Sequence, residues 1–245
     1  MKKTVLVFGT VLALAGLLTG CATVQTHPAD LERTSESRME RMPDGVEGKV
    51  PVVIFAHGCA GLYAGDTSTW ARNLTRAGYA VEAPDSFARP GRTSNCDPGT
   101  LSGGRNPQAH DMRIEEIEFA SARVLELPWV DQGRIFLMGH SEGDIAAARY
   151  SKSGFAGVVI SGWTCTSRGR GWEWLGGLWT PKGVPVLSVN FETDPWYERT
   201  NMKGSCGTLM GKGSRALTLH GSGHATSGDQ EAVQAVVEFL ARNKP

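Results

Sequence analysis

Neither sign of charge is in surplus: 25 Lys and Arg stand against 25 Asp and Glu, so the formal net charge is zero. The electrostatic footprint that nucleic acid or an anionic bilayer would select is therefore missing. Cysteine is scarce, with five in 245 residues. None falls in a Cys-x-x-Cys or in a Cys/His spacing of the zinc type, which speaks against a metal site. No segment repeats, and no second domain is marked. A chain of 245 residues can bury a full core as one domain. After residue 18 no apolar run is long enough to span a bilayer.

The exception to this plainness is the N-terminus. Lys2 and Lys3 precede an apolar run from Val5 to Leu18, and small residues follow at Thr19 and Gly20. A basic start, a short apolar core and a small-residue cleavage site read as a secretory signal over residues 1–20. Leu18-Thr19-Gly20-Cys21 resembles the bacterial lipobox, which implies cleavage before Cys21 and lipidation of that residue. Ala22 rather than Asp after the cysteine implies an outer-membrane destination facing the periplasm. Residues 21–36 are polar without an apolar period and read as a tether, leaving 37–245 as the folded domain.

Within that domain, apolar strand-like runs alternate with helix-periodic segments. Val50 to Ala56, Tyr79 to Ala83, Ile135 to Met138, Gly157 to Ser161, Pro185 to Phe191 and Arg215 to Leu219 read as strands. Thr67 to Ala77, Asp111 to Leu127, Asp144 to Tyr150 and Asp229 to Arg242 read as helices, and Ser37 to Met42 as an edge strand. Such alternation predicts an α/β fold, a mostly parallel sheet with helices on both faces.

One junction is chemically distinctive. Gly139-His140-Ser141-Glu142-Gly143 follows a strand and opens a helix. A chain reversing that sharply holds its central residue in a strained conformation and needs small neighbours two residues to either side, which leaves the hydroxyl exposed. Ser141 is the candidate nucleophile, with His140 as a variable position. A serine needs a base, and the base needs a carboxylate to fix its tautomer. Downstream, Asp194 lies in the loop after one strand and His224 in the loop after the last. Glu192 is the lesser candidate acid and His220 the lesser base. Backbone N–H groups of Glu142, at a helix start, and Cys59, after the Val50 strand, are the candidate oxyanion donors. His57 reads as structural. In an oxidising compartment Cys59, Cys96, Cys165 and Cys206 permit three pairings. Cys59 with Cys96 and Cys165 with Cys206 is preferred, since each pair would join loops on one rim.

Two features beside this group invite a binding role. Arg89 and Arg92 sit where a carboxylate-bearing substrate could be gripped, although arginines at such positions are commonly solvated. Five of the seven tryptophans (Trp163, Trp172, Trp174, Trp179 and Trp196) crowd one glycine-rich stretch, as an apolar wall or as simple packing.

Taken together, His57-Gly58-Cys59-Ala60-Gly61, Gly78 to Phe87, Pro128-Trp129-Val130-Asp131, Arg134-Ile135, the elbow and Gly221-Ser222-Gly223-His224 resemble an α/β-hydrolase of the dienelactone hydrolase type. That resemblance covers about Val50 to the C-terminus. It implies a sheet of eight strands or slightly fewer, hydrolysis of small esters or lactones, and no cofactor. The family's name-giving members use a cysteine nucleophile, whereas this chain has Ser141. Asp144 replaces a usual glycine, and its side chain would crowd the pocket or repel anionic substrates. Peptidase or acyltransferase chemistry on the same residues, or a non-catalytic binding lipoprotein, are the alternatives.

Overall fold

The computed structural model describes residues 26–45, 47–63, 65–103, 106–166, 176–198 and 205–243. The segment expected to be a signal peptide and Cys21 lie outside the described residues, as do Trp172 and Trp174. Seven strands form the main sheet: β1 (Met39–Arg41), β2 (Val50–Ala56), β3 (Ala80–Ala83), β6 (Val130–His140), β7 (Gly157–Ser161), β8 (Val186–Thr193) and β9 (Arg215–Ser222). Their spatial order is β1-β3-β2-β6-β7-β8-β9. Only the edge pair β1–β3 in this sheet is antiparallel. A small hairpin, β4 (Cys96–Asp97) with β5 (Ser102–Gly103), interrupts the long loop after β3.

Strand alternation divides the core in two. Val52, Ile54, Ile135, Leu137, Val158 and Ile160 face α3 (Pro107–Glu126) and α4 (Glu142–Arg149). Val53, Phe55, Phe136, Met138, Leu187 and Val189 face α2 (Gly65–Arg76) and α6 (Gln230–Arg242). The central strands are apolar throughout because both faces are covered, as a parallel sheet demands. This is the expected single α/β domain.

Three expectations need correction. The polar tether does not run to Glu36: Pro28–Glu36 is a helix, α1, started by Pro28 and the His27 side chain. It has no apolar stripe to announce it, and polar contacts hold it. Its Thr34 carbonyl accepts the Asp85 N–H at 3.0 Å, and Glu32 pairs with Arg123 at 2.9 Å. Second, α3 begins at Pro107, four residues before Asp111, because the Asn106 side chain accepts the Gln108 and Ala109 N–H groups. Helical spacing places Ile114, Ile117, Ser121, Val124 and Leu125 on its inward face, but Leu125 is exposed, while the charged Arg113 and Glu116 are buried. Third, helical spacing in the last helix points Val233, Val236, Val237 and Leu240 inward, whereas α6 buries Ala232, Ala235, Val236, Phe239 and Leu240 and leaves Val233 and Val237 half-buried.

Candidate active site

Ser141 sits between β6 and α4 with φ 55° and ψ −115°, one of three described non-glycine residues at positive φ. The surroundings over-determine that strain. A Cβ on Gly143 would lie 2.0 Å from the Ala56 carbonyl oxygen, and one on Gly139 would lie 2.6 Å from the Gly143 carbonyl carbon. Both neighbours are backbone, so the glycines let α4 start directly against β2. Gly143→Ala is accordingly expected to lower stability by about 3 kcal/mol, a melting-temperature drop of roughly 10 °C. An unchanged melt would show that the helix does not pass the strand this closely.

Asp144 corrects another expectation. It does not enter the pocket: it is fully buried, and its Oδ2 and Oδ1 accept the N–H groups of Ser141 at 3.2 Å and Ser161 at 2.7 Å. This carboxylate ties the strand-to-helix turn to β7.

The structure brings Ser141, Asp194 and His224 together. His224 Nε2 accepts the Ser141 hydroxyl at 2.8 Å, and its Nδ1–H donates to Asp194 Oδ2 at 2.7 Å. Asp194, ahead of the short α5 (Pro195–Glu198), is itself oriented by the Trp196 N–H on its Oδ1 at 3.0 Å. The lesser candidates are elsewhere: exposed His220 pairs with Glu192 at 3.0 Å. Below the His224 loop, Asp66 of α2 accepts the Ser227 N–H at 3.0 Å, and Asn73 donates to the Ser227 carbonyl at 2.9 Å.

His140 is more than a spacer. Its Nδ1 lies 2.9 Å from both Asp66 Oδ2 and the Ser161 carbonyl, and its ring centroid is 5.1 Å from that of His224. Burial opposes its charged form, but the Asp66 carboxylate, helped by Asp144, raises its pKa to about 9. At neutral pH a buried cation therefore stands beside His224, the candidate base. His224 is shifted below the usual histidine value: burial leads, His140 adds to it, and Asp194 and Asp66 oppose it. A base works unprotonated, so the acid limb of the kcat/KM profile is expected below the ordinary histidine range. His140→Gln removes a positive neighbour, favours protonated His224, and is expected to move that limb upward by roughly 0.5–2 units. A limb that stays put would show that the two rings are not electrostatically coupled.

Cys59 lies in the turn after β2, close to the nucleophile: a Cβ on Gly58 would be 3.4 Å from Ser141 Cβ. Glu142 opens α4, where helix N–H groups have no helical partner. His57 is fully buried; its Nε2 lies 3.1 Å from the Ser86 N–H, and its Nδ1 lies 2.7 Å from the Gly58 carbonyl and 3.0 Å from Arg113 Nη2. Burial and nearby Arg113 hold it well below the usual histidine pKa. Cysteines pair as Cys59–Cys96 and Cys165–Cys206.

The arginines are neither solvated nor free to grip a substrate. Arg89 pairs with Glu115 at 3.1 Å and Glu116 at 3.4 Å, and Arg92 pairs with Glu142. Arg113 also donates to Glu142, at 3.0 Å through Nη2. The sequence reading missed Asp66, Arg113 and Glu116. The signal for Arg113 was present: it shares the α3 stripe of Ile117, Ala120 and Val124, and a charge in an apolar stripe is paired or functional. Trp163 is fully buried and Trp179 half exposed, whereas the Trp196 ring packs tilted by 35° against that of His224, 5.4 Å between centroids. Among the described residues, no cluster of His, Cys, Asp or Glu could hold a metal ion.

No protein-family model matches the chain, and no curated protein matches it. Solved structures do share its fold. Est1E from Butyrivibrio proteoclasticus aligns with a TM-score of 0.57 at 15% identity, over 84% of this chain and 93% of that one. The dienelactone hydrolase from Anabaena variabilis gives 0.53 at 16%, over 84% and 89%. The dienelactone hydrolase-like promiscuous phosphotriesterase P91 from metagenomic libraries gives 0.56 at 15%, over 85% and 99%. The architecture is the α/β-hydrolase fold, and two of these three structural neighbours are described as dienelactone hydrolase or dienelactone hydrolase-like.

Proposed function

We propose that this protein is a serine hydrolase of small carboxylic esters or lactones. The observation that carries the reading is the continuous proton path from Ser141 through His224 to Asp194, at 2.8 and 2.7 Å, on a strained strand-to-helix turn. In it, Ser141 Oγ attacks the acyl carbon while His224 Nε2 takes the hydroxyl proton. Asp194 stabilises the imidazolium, which then protonates the departing alkoxide. Water repeats the sequence on the acyl-enzyme, releasing the acid and restoring the serine. The N–H groups of Cys59 and Glu142 hold the oxyanion. A fold shared with dienelactone hydrolase-like structures, one of them solved with ferulic acid bound (Est1E), supports an ester-type substrate without specifying it.

A panel of p-nitrophenyl esters of rising acyl length, together with simple lactones, tests the proposal. Turnover of the short esters or lactones is expected; inertness across the panel would reject it. We further propose that Cys21 is lipidated and anchors the domain at the outer membrane, facing the periplasm. The lipobox-like residues support this, and Cys21→Ser is expected to move the protein from the membrane to the soluble fraction. Retention on the membrane would contradict it.

A further inference from the structure

An oxyanion hole works because its donors are fixed before the charge appears. Here the two candidate donors come from separate elements, the turn after β2 and the start of α4. One short segment after β3 reaches both. Cys96 is disulfide-bonded to Cys59, and the Ser94 hydroxyl donates to the Cys59 carbonyl at 2.8 Å. At the other end, Arg92 donates through Nη2 to Glu142 Oε1, with both side chains buried. Arg92 also donates to the Thr93 carbonyl and lies 5.0 Å over the Phe87 ring, so its own position is set.

We infer that Arg92 to Cys96 is a positioning strap that holds the Cys59 and Glu142 N–H groups in register around the oxyanion. This inference rests on the hydrolase reading above. Cys96 and Ser94 pin the Cys59 turn to the loop after β3. Arg92, with Arg113, pins the first residue of α4. Charge is part of the device. A lone carboxylate one residue from the nucleophile would repel a developing oxyanion, whereas two guanidiniums on Glu142 leave a positive excess behind the donor. Burial alone would raise the Glu142 carboxyl, but Arg113 and Arg92 outweigh it and keep the group ionised. The strap residues act through the backbone they hold.

The test compares wild type, Cys96→Ala and Ser94→Ala with p-nitrophenyl acetate, and measures the rate at which a fluorophosphonate blocks the enzyme. Misplacing one donor is expected to lower kcat about tenfold or more in Cys96→Ala and severalfold in Ser94→Ala. KM should stay within about twofold, and phosphonylation should slow in parallel, because both reactions load the same oxyanion donors. The acid limb of the pH profile should not move, since the base is untouched. A merely structural crosslink would lower the melting temperature and leave kcat of the folded protein intact. Should Cys96→Ala fail to fold, Ser94→Ala decides, because it removes one hydrogen bond and no crosslink. An active wild type with folded variants at full kcat would overturn the strap alone. A wild type that neither turns over esters nor reacts with the probe would reject the hydrolase reading and the strap with it.

Discussion

Ser141→Ala is expected to lower ester turnover by roughly 10⁴- to 10⁶-fold, the range found when the nucleophile of a working triad is removed. The size of the effect follows from the site's construction. His224 already accepts the Ser141 hydroxyl at 2.8 Å, so the base has no other aligned proton to take once that oxygen is gone. Activity left over would come from water and the oxyanion donors alone. The melt should change little, because the strained φ of 55° is held by backbone contacts of the flanking glycines and by Asp144, not by the hydroxyl. A stable, folded Ser141→Ala protein with full turnover would mean that the reaction occurs elsewhere. A non-catalytic binding protein would show no difference between the two forms.

Asp194→Asn is expected to lower kcat about 10⁴-fold without unfolding the protein. The reason is a tautomer. The Trp196 N–H donates to Asp194 Oδ1 at 3.0 Å, so an asparagine would keep its carbonyl oxygen there and turn its NH2 toward His224 Nδ1. Nδ1 would then have to accept, moving the ring proton to Nε2, where it faces the Ser141 hydroxyl and cannot take its proton. Glu192→Gln supplies the contrast. That side chain is exposed and engaged with His220 and the Gly221 N–H, so turnover is expected within about twofold of wild type. Steady-state kinetics on the pair separates the two carboxylates. Equal losses, or a loss only in Glu192→Gln, would contradict the arrangement.

The parts of the site legible in the sequence are those set by local chain geometry. Gly139, Ser141 and Gly143 announce the strand-to-helix turn because backbone crowding at 139 and 143 admits only glycine. Asp194 and His224 are found because strands end where loops begin, and reactive loops gather at one edge of a parallel sheet. What stayed hidden depends on partners distant in sequence. Asp144 looks like a pocket intruder until β7 supplies the Ser161 N–H, and Arg92 looks like a substrate clamp until Glu142 is seen beneath it. Nothing local in the sequence marks Asp66, in the first turn of α2, yet it joins α2 to His140 and to the His224 loop. Helix α1 is silent for another reason. With polar contacts and no apolar stripe, it has none of the periodicity by which helices are recognised.

The central claim is that one hydroxyl, at residue 141, is made reactive by an imidazole and a carboxylate brought from distant loops. Peptide mapping by mass spectrometry after reaction with a fluorophosphonate reads this most directly. A single phosphonyl adduct on the peptide carrying Ser141, lost in Ser141→Ala and strongly slowed in Asp194→Asn, is the expected result. An adduct on a different serine, or none under conditions where the protein is folded, would contradict it.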